Sequence, residues 1–399
     1  MASTASAPGY VRFTGHRHLT QRLVLSTLTG KPVHISGIRS SSPTAPGLAP
    51  HEISFLRLLE TVTNGSSIQI SYTGTTMTYH PGLITGSVPG AGAAVNGDSI
   101  EFSLPETNRR GITYYLIPIA MLAPFSKAHV NIRFSGPGVI TAATELGDMS
   151  VDSFRLAILP LYGLFGIPPA RIDILVRQRS CAGYGDRRGG GVVELRFASQ
   201  VRLPKTLHMN RTPGRIRRIG GVAYSTGVSA SNNKRMIHAA RGVLNALTGE
   251  IKIGEAPPGK DDAKNKIGIG FGLSLVAESS VPGVVYSADV VSPARGGALP
   301  EDLGAQCAHQ LLEAIAKGGC VSWAAARSVL TLMAMGSEDV GRLRIGKDVV
   351  DEDTIGLARD LRKFGASSWG LRAVDDDDTD DMLISVKGTG VGNVGRKIA

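Results

Sequence analysis

Apolar positions follow two different periods that take turns along the chain. In longer segments they recur at helical spacing and stop at glycine or Asn-Gly, which predicts amphipathic helices. In shorter segments they alternate with polar residues, which predicts half-buried strands. The predicted helices are HLTQRLVLSTLTG, PHEISFLRLLETVTNGS, DSFRLAILPLYGLFGI and residues 300–317, and RIGGVAYSTGVSASNNKRMIHAARGVLNALTG is predicted as a strand, a loop and a helix. The predicted strands are PVHISGIRS, the pair in IQISYTGTTMTYHPG, IGFGLSLVAESS and GVVYSADVVS. This interleaving favours an α/β-type layered domain over an all-β sandwich.

The composition is typical of a globular chain in a reducing compartment. Apolar residues make up 42% and charged residues 19% of the 399 positions. Cys181, Cys307 and Cys320 are odd in number and lack C-x-x-C spacing, which argues against a disulfide framework or a zinc site. The N-terminus MASTASAPGY has no signal-peptide pattern, and the longest apolar run is interrupted by prolines. We therefore expect a soluble intracellular protein with no membrane partner.

The net charge of +10 is concentrated in one part of the chain. Between positions 171 and 218 there are twelve lysines and arginines and three acids, a net charge of +9 in 48 residues. Such a concentration predicts contact with a polyanion, most simply RNA or DNA, although an Arg-rich solvated surface would have the same composition. The candidate contacts with RNA or a partner are Arg187, Arg188, Arg211, Arg215, Arg217 and Arg218.

Six stretches together carry a resemblance to a known family. They are QRLVLSTLTGKPVHISGIRS, APGLAPHEISFLRLLETVTNGSSIQISYTGTTMTYHPGLI, LAPFSK, GVAYSTGVS, GFGLSLVAES and LPEDLGAQCAHQLLEAIAKGGCV. In this order and at these spacings the chain resembles the RNA 3′-terminal phosphate cyclase family, and within it the eukaryotic branch of ribosome biogenesis. The resemblance runs from about residue 10 to the C-terminus.

The resemblance implies an α+β or α/β fold with two domains. A large domain of three similar βαβαββ-type units would comprise residues 1–185 and 291–399, and a small α/β domain would be inserted at 186–290. The cluster of glycine and charge in CAGYGDRRGGG agrees with a boundary near 185. The resemblance also implies a nucleolar component of the small-subunit processome that is needed for early pre-rRNA processing and acts with a processome GTPase.

The cyclases form a covalent histidine–nucleotide intermediate, and the matching region of this chain has no histidine. Their nucleophile lies in an H-x-x-T-N-type motif, and the comparable stretch here is GKDVVDEDTIGLARDLRKFG. Its Asp351, Glu352 and Asp353 would repel a triphosphate and could not readily replace a nucleophile that must also leave. The glycine-rich nucleotide loop is matched by FTGHRHLTQ, which has one glycine and bulky residues at 16–18. We therefore predict a cyclase-like pseudoenzyme with no cofactor and no histidine facing a nucleotide-sized cleft. The opposing interpretation is an active cyclase with a relocated nucleophile, which would form a stable adduct with labelled ATP.

His309 is the one histidine beyond position 238, and it falls on the predicted helix 300–317. It lies at the end of a family A-D-Q-L-type motif in which the cyclases carry aspartate. No Cys, His or acid at ligand spacing completes a metal set around it. We interpret it as a boundary residue of the helix, and we predict no metal site.

Two activities could remain in such a chain. Arg39 matches an arginine shared with the cyclases, and Arg17 and Arg22 lie in or near the stretch that matches the cyclase nucleotide loop. These three arginines could hold a phosphate, or they could be plain surface residues. The alternative function is a pre-rRNA endonuclease in which Asp360 is the base and Arg359 and Arg362 stabilise the phosphate. Such a cluster is also typical of a solvated or partner-binding helix face.

Overall fold

The computed structural model describes residues 9–88, 95–198, 204–257, 266–374 and 379–391. Three of its sheets share one topology. Each contains two parallel strands, the later of which pairs antiparallel with the last strand of the sheet, and that last strand pairs antiparallel with the strand before it. The second sheet has one additional short strand, Val95–Asn96, at its edge. Each sheet is therefore a βαβαββ unit, which confirms the fold class.

The first unit follows the predicted elements closely. Helix α1 ends at Gly30, whose φ of 69° lies in the left-handed region that glycine tolerates. Pro50 occupies the first position of α2, where its missing N–H costs no helical hydrogen bond. The elements are β1 (Val11–Thr14), α1 (Leu19–Thr29), β2 (Val33–Ser36), α2 (Pro50–Val62), β3 (Thr63–Asn64), β4 (Ser67–Ile70), β5 (Met77–His80) and β6 (Leu83–Ile84).

The second unit departs from the prediction in its second helical segment. The stretch DSFRLAILPLYGLFGI was predicted as one helix, but it is a short α-helix followed by a π-helical turn (Phe154–Ile158) and a 3-10 segment (Leu159–Phe165). Pro160 lacks the N–H that a continuous α-helix needs at this position. The elements are β7 (Val95–Asn96), β8 (Ser99–Ser103), α3 (Thr113–Leu122), β9 (Val130–Ser135), α4 (Val151–Ser153), β10 (Ile172–Gln178) and β11 (Val192–Phe197).

The third unit is split by an insert. Its first strand, β12 (His208–Met209), pairs with a strand more than a hundred residues later. Between them lie β13 (Ile216–Thr226), α5 (Ser231–Leu244), β14 (Ile251–Glu255), β15 (Gly270–Ser279), β16 (Val285–Val291) and α6 (Pro300–Ala316). The unit then continues with α7 (Trp323–Met335), β17 (Val340–Gly346), α8 (Glu352–Phe364), β18 (Trp369–Ala373) and β19 (Asp381–Lys387).

The insert forms its own sheet, in the order β14-β13-β15-β16, and α6 packs on α5, β15 and β16. Strand β11 lies inside the predicted insert of 186–290 but pairs with β9 and β10 of the second unit. Helix α6 lies outside the predicted insert but packs on its sheet. From these contacts we propose that the insert runs from Ile216 to Ala316.

The three units meet through their helices. Helix α1 contacts α3 and α8, and α7 also contacts α3 and α8. Helices from all three units therefore pack together where the units meet. One continuous hydrophobic core extends through the units and the insert. Among the residues that the structure describes, the helices lack the length and apolar character needed to cross a lipid bilayer.

Candidate functional site

A cleft of about 790 Å³ opens where the three units meet the insert. This volume lies in the range of small-molecule sites, and polar groups from every unit line it. The first unit contributes His16, Arg17, His18, Arg39, His51 and Glu52, and the second contributes Arg110, Tyr114 and Asp148. The insert contributes Asp289, Glu313 and Lys317, and the third unit contributes Trp323 and Arg327.

Arg39, one of the three predicted anion-binding residues, lines the cleft but is already bound to a carboxylate. Its Nη1 and Nη2 atoms donate to the two oxygens of buried Glu52, at 2.7 and 2.9 Å, and Nη1 also donates to the Gly47 carbonyl at 3.0 Å. Glu52 Oε2 accepts a further hydrogen bond from the Ala49 amide at 2.7 Å. Arg39 therefore ties the 38–47 loop to the start of α2, and an anion would have to compete with Glu52.

Arg110 lies in the segment before α3 of the second unit, and it too is bound to a carboxylate. Its Nε and Nη2 donate to the carboxylate of buried Asp148, at 2.8 and 2.5 Å, and its guanidinium lies 4.4 Å from the centre of the Tyr114 ring. The Gly111 amide also donates to Asp148, at 2.7 Å. Arg110 is thus a second cleft cation whose charge is balanced inside the protein.

Arg17 connects the loop before α1 to the start of α8. Its Nη2 donates to Asp353 Oδ1 at 2.6 Å and to Glu352 Oε2 at 3.2 Å. The Asp351 carboxylate accepts from the Thr354 amide at 2.7 Å and from Trp323 Nε1 at 2.6 Å, so it caps the helix. The region that matches the cyclase nucleophile therefore presents three carboxylates, and two of them hold the arginine that faces the cleft.

Arg22, the third predicted anion-binding residue, does not line the cleft. It turns towards α8, where its Nε donates to Asp360 Oδ2 at 3.0 Å and its guanidinium lies 4.3 Å from the centre of the Phe13 ring. Gln21 donates to the same carboxylate oxygen at 3.3 Å. The structure thus brings Arg17 and Arg39 to the cleft, whereas Arg22 lies on the face of α1 that packs against α8.

Three histidines line the cleft, so the prediction that no histidine would face it is wrong. His18 Nε2 lies 3.6 Å from Asp353 Oδ1, and burial lowers the pKa of this imidazole despite the carboxylate. His51 packs edge-on against Tyr114 with ring centres 5.2 Å apart, and burial lowers its pKa too. His16 is exposed at the mouth of the cleft. All three come from the first unit, and none belongs to the 346–365 stretch that matches the cyclase nucleophile.

Lys317 and Arg327 are cleft cations that sequence reasoning missed. Arg327 Nη1 lies 3.6 Å from Asp353 Oδ2, and its guanidinium lies 5.7 Å from the centre of the Trp323 ring. In the described part of the chain, no carboxylate is in ion-pair contact with Lys317. Neither residue belongs to a recognisable sequence motif. They reach the cleft only through the packing of the insert, which places Lys317, and of the third unit, which places Arg327.

The residues of the endonuclease hypothesis do not face one site. Arg359 and Arg362 are exposed, whereas the Asp360 side chain is only 7% exposed and is paired with Arg22. A general base must reach the hydroxyl proton that it removes. Asp360 lies beneath α1, where an RNA ribose cannot approach it, so its geometry favours a structural role.

The basic segment is divided between the two ends of a long strand. Arg187 and Arg188 lie in the loop beside the end of β13, whereas Arg211, Arg215, Arg217 and Arg218 lie before or at its start. A strand of 11 residues separates the two groups by about 30 Å. Arg218 is also held by Glu278, at 2.7 and 2.8 Å. Arg202, which contributed to the charge count, lies outside the described residues.

His309 is exposed on α6 and does not line the cleft. The described residues contain no group of three or more His, Cys, Asp or Glu side chains arranged to hold a metal ion. The three cysteines are all buried and free, and burial raises the pKa of Cys181 and Cys320 to about 11.

Comparison with known proteins gives consistent matches over most of the chain. A family model described as RNA 3′-terminal phosphate cyclase matches residues 11–369. The chain is 39% identical over 397 residues to the rRNA processing protein RCL1 of Saccharomyces cerevisiae, covering 99% of this chain and 100% of that protein. It is 38% identical over 368 residues to the human RNA 3′-terminal phosphate cyclase-like protein, covering 91% and 90%. It is 35% identical over 390 residues to the rRNA processing protein rcl1 of Schizosaccharomyces pombe, covering 97% and 98%.

Proposed function

The chain belongs to the RNA 3′-terminal phosphate cyclase family, and on that premise we propose that it is a non-catalytic factor in rRNA processing. The observation that carries the proposal is the contact between Arg17 and the carboxylates of Glu352 and Asp353 at 2.6–3.2 Å. A cation that should receive phosphate is instead balanced by acids from the segment that matches the cyclase nucleophile. Full-length similarity to two proteins named for rRNA processing supports the biological role.

The charge pattern of the cleft disfavours a nucleotide. Arg39 and Arg110 are bound to Glu52 and Asp148, so a triphosphate would have to displace carboxylates that are buried and cannot move into water. At α8, Glu352 and Asp353 would lie close to the incoming negative charge. Among the described cleft cations, Lys317 alone has no carboxylate in ion-pair contact, whereas the arginines of the basic segment lie outside the cleft, consistent with contacts to a large polyanion.

We further propose that the chain works in the nucleolus as a component of the small-subunit processome. Its partners would be pre-rRNA, other processome proteins and a processome GTPase. The sequence net charge of +10 supports a site of action beside rRNA, because cationic side chains release counterions when they contact phosphates.

Replacement of the yeast relative tests the biological role. Saccharomyces cerevisiae cells depleted of rRNA processing protein RCL1 would express this chain, and pre-rRNA species would be measured by Northern blot. We expect the chain to restore early pre-rRNA processing, at least in part, given 39% identity over the full length. Accumulation of unprocessed precursor despite normal expression and nuclear entry of the chain would contradict the proposal.

The cleft histidines favour one alternative, a nucleotidyl transferase with a relocated nucleophile. Incubation of the purified protein with radiolabelled ATP or GTP tests this alternative directly. We expect no acid-labile label on the protein. A labelled adduct that His16→Ala, His18→Gln or His51→Gln abolished would overturn the non-catalytic assignment and identify the nucleophile.

A further inference from the structure

A solvent-facing tyrosine lies at the tip of a loop that is fixed at its base. Tyr184 is 53% exposed, and the Arg187 amide donates to its carbonyl at 3.2 Å to close a tight turn in which Gly185 has a φ of 66°. The Gly189 amide donates to the Cys181 carbonyl, and the Cys181 amide donates to the Gly268 carbonyl, both at 3.1 Å. The ring is therefore presented by an ordered loop.

Two arginines that are more than a hundred residues apart in sequence meet at this ring. The guanidinium carbons of Arg188 and Arg295 lie 5.9 and 5.4 Å from the centre of the Tyr184 ring, within the range of cation–π attraction. Arg295 belongs to the PARGG turn between β16 and α6, and Gly296 and Gly297 both have open space where a Cβ would lie. We name this cluster of Tyr184, Arg188 and Arg295 the tyrosine platform.

The surroundings of the tyrosine platform are cationic. Arg187 lies in the same loop, and Lys266 lies beside it. Lys266 Nζ is 2.5 Å from the carboxylate of Asp186, which balances that charge. Asp186 is the acid of this loop and is paired with Lys266, so Arg188 and Arg295 leave the described part of the cluster positively charged.

We propose that the tyrosine platform binds single-stranded RNA: a base displaces a guanidinium from the face of the Tyr184 ring and stacks there, and Arg188 and Arg295 contact the flanking phosphates. A tyrosine ring with arginines beside it matches both chemical features of a single strand, an open π-face and a closely spaced backbone charge. A duplex hides its base faces, and an acidic peptide would use the arginines without needing the ring. The proposal deepens and rests on the proposed role in rRNA processing.

Fluorescence anisotropy with the full-length protein and a labelled 12-nucleotide single-stranded RNA tests the proposal. Stacking on an aromatic ring contributes enough that Tyr184→Ala should weaken binding about tenfold. Tyr184→Phe keeps the ring and should bind within about twofold of the parent. Arg188→Ala/Arg295→Ala removes two phosphate contacts and should reduce the slope of log K against log salt by about 1.4.

Matched controls separate the tyrosine platform from general surface effects. Tyr72→Ala removes another exposed tyrosine, and Arg57→Ala/Arg342→Ala removes two exposed arginines away from the loop. Both controls should bind RNA like the parent. Apart from Arg188, which is half-buried, the substituted side chains are exposed, so each variant should remain folded, and thermal unfolding checks this.

Three results would overturn the proposal: Tyr184→Ala binding as tightly as the parent, equal parental affinity for a blunt RNA duplex, or no parental binding to RNA. An acidic peptide that bound the parent and lost affinity in the arginine double variant alone would also overturn it, in favour of a protein partner. The yeast replacement experiment distinguishes these failures from failure of the proposed function. A parent that restores pre-rRNA processing while the RNA results are negative leaves the function standing and removes only the tyrosine platform.

Discussion

Substitution of Arg39 distinguishes a structural role of this residue from an anion-binding role. Arg39 makes three hydrogen bonds, two to Glu52 and one to the Gly47 carbonyl, and its backbone φ of 43° is in the left-handed region. Glu52 is 3% exposed and also accepts from the Ala49 amide. Truncation of Arg39 would leave a carboxylate buried at the start of α2 with one remaining hydrogen bond.

The expected cost of Arg39→Ala is about 3 kcal/mol in the free energy of unfolding. Removal of one partner from a buried ion pair costs about 3–5 kcal/mol, and the lower end applies because the Arg39 side chain is 21% exposed. Glu52→Gln keeps a hydrogen-bonding amide and should cost about 1–2 kcal/mol. The double variant should be about 2 kcal/mol more stable than the sum of the single effects predicts, because the side chains contact each other.

Urea titrations followed by circular dichroism would measure these differences, with Arg57→Ala as the exposed arginine control. If the free energy of unfolding of Arg39→Ala lies within about 0.5 kcal/mol of the parent value, the reasoning from the Glu52 contact fails. Thermal unfolding with and without inorganic phosphate then addresses the sequence prediction. Stabilisation of the parent, but not of a folded Arg39→Lys variant, would show that Arg39 also holds an anion.

Three further predictions concern groups outside this pair. Asp360→Asn should lower the free energy of unfolding by about 2 kcal/mol, because Arg22 loses its charged partner. Neither the parent nor this variant should cleave a short pre-rRNA substrate. Cleavage by the parent alone would restore the endonuclease hypothesis. Burial lowers the pKa of His18 and His51 in the folded state below the ordinary value near 6.5. The unfolded chain therefore binds protons more readily than the folded chain. The free energy of unfolding should be at its full value above about pH 6.5 and should fall as the pH drops below it. Urea midpoints at pH 7.5 and 5.5 should therefore differ less in His18→Gln/His51→Gln than in the parent, and an equal difference would refute the assignment. The buried Cys181 thiol, with a pKa of about 11, should react with a disulfide reagent only in denaturant, and rapid reaction of the native protein would contradict its burial.

Local patterns predicted individual elements of this fold well. The predicted helix 300–317 matches α6, which begins with Pro300 and carries Glu301 and Asp302 in its first turn, as is typical of a helix start. The predicted helix HLTQRLVLSTLTG ends at its glycine, Gly30, as α1 does. The alternating stretch around β4 and β5 forms the antiparallel pair that its period predicts. In these cases the determining interactions lie within one element or between neighbours in sequence.

The repetition of the three units was not visible in the sequence. The first strand of the third unit, β12, has only two residues, and the whole insert separates it from its partner β17. In the second unit, a π-helical turn and a 3-10 segment replace the helix that α2 and α8 provide elsewhere. Strand pairing conserves the topology even where length and helical period differ.

The composition of the cleft was the least predictable feature, because its residues come from separate parts of the chain. The sequence indicated that Arg17 and Arg39 lie near an old nucleotide loop, and both do line the cleft. It did not indicate His51, because helix α2 turns this residue towards Tyr114 of the second unit. Contacts between units decide which histidine faces the cleft, and no local pattern encodes them.

The start of α8 explains why the cleft can keep its shape without a nucleotide. A helix N-terminus attracts negative charge, and in a nucleotide-binding protein a phosphate can satisfy that attraction. Here Asp351 caps the helix, while Glu352 and Asp353 add negative charge to its first turn and bind Arg17 from the opposite wall. The carboxylates of Glu352 and Asp353 thus interact favourably with the N-terminal end of the helix dipole, and they also hold Arg17 and the opposite wall of the cleft in place. Removal of their charge in Glu352→Gln/Asp353→Asn should free Arg17 and increase the affinity of the cleft for phosphate, whereas unchanged affinity would mean that these acids do not control access to it.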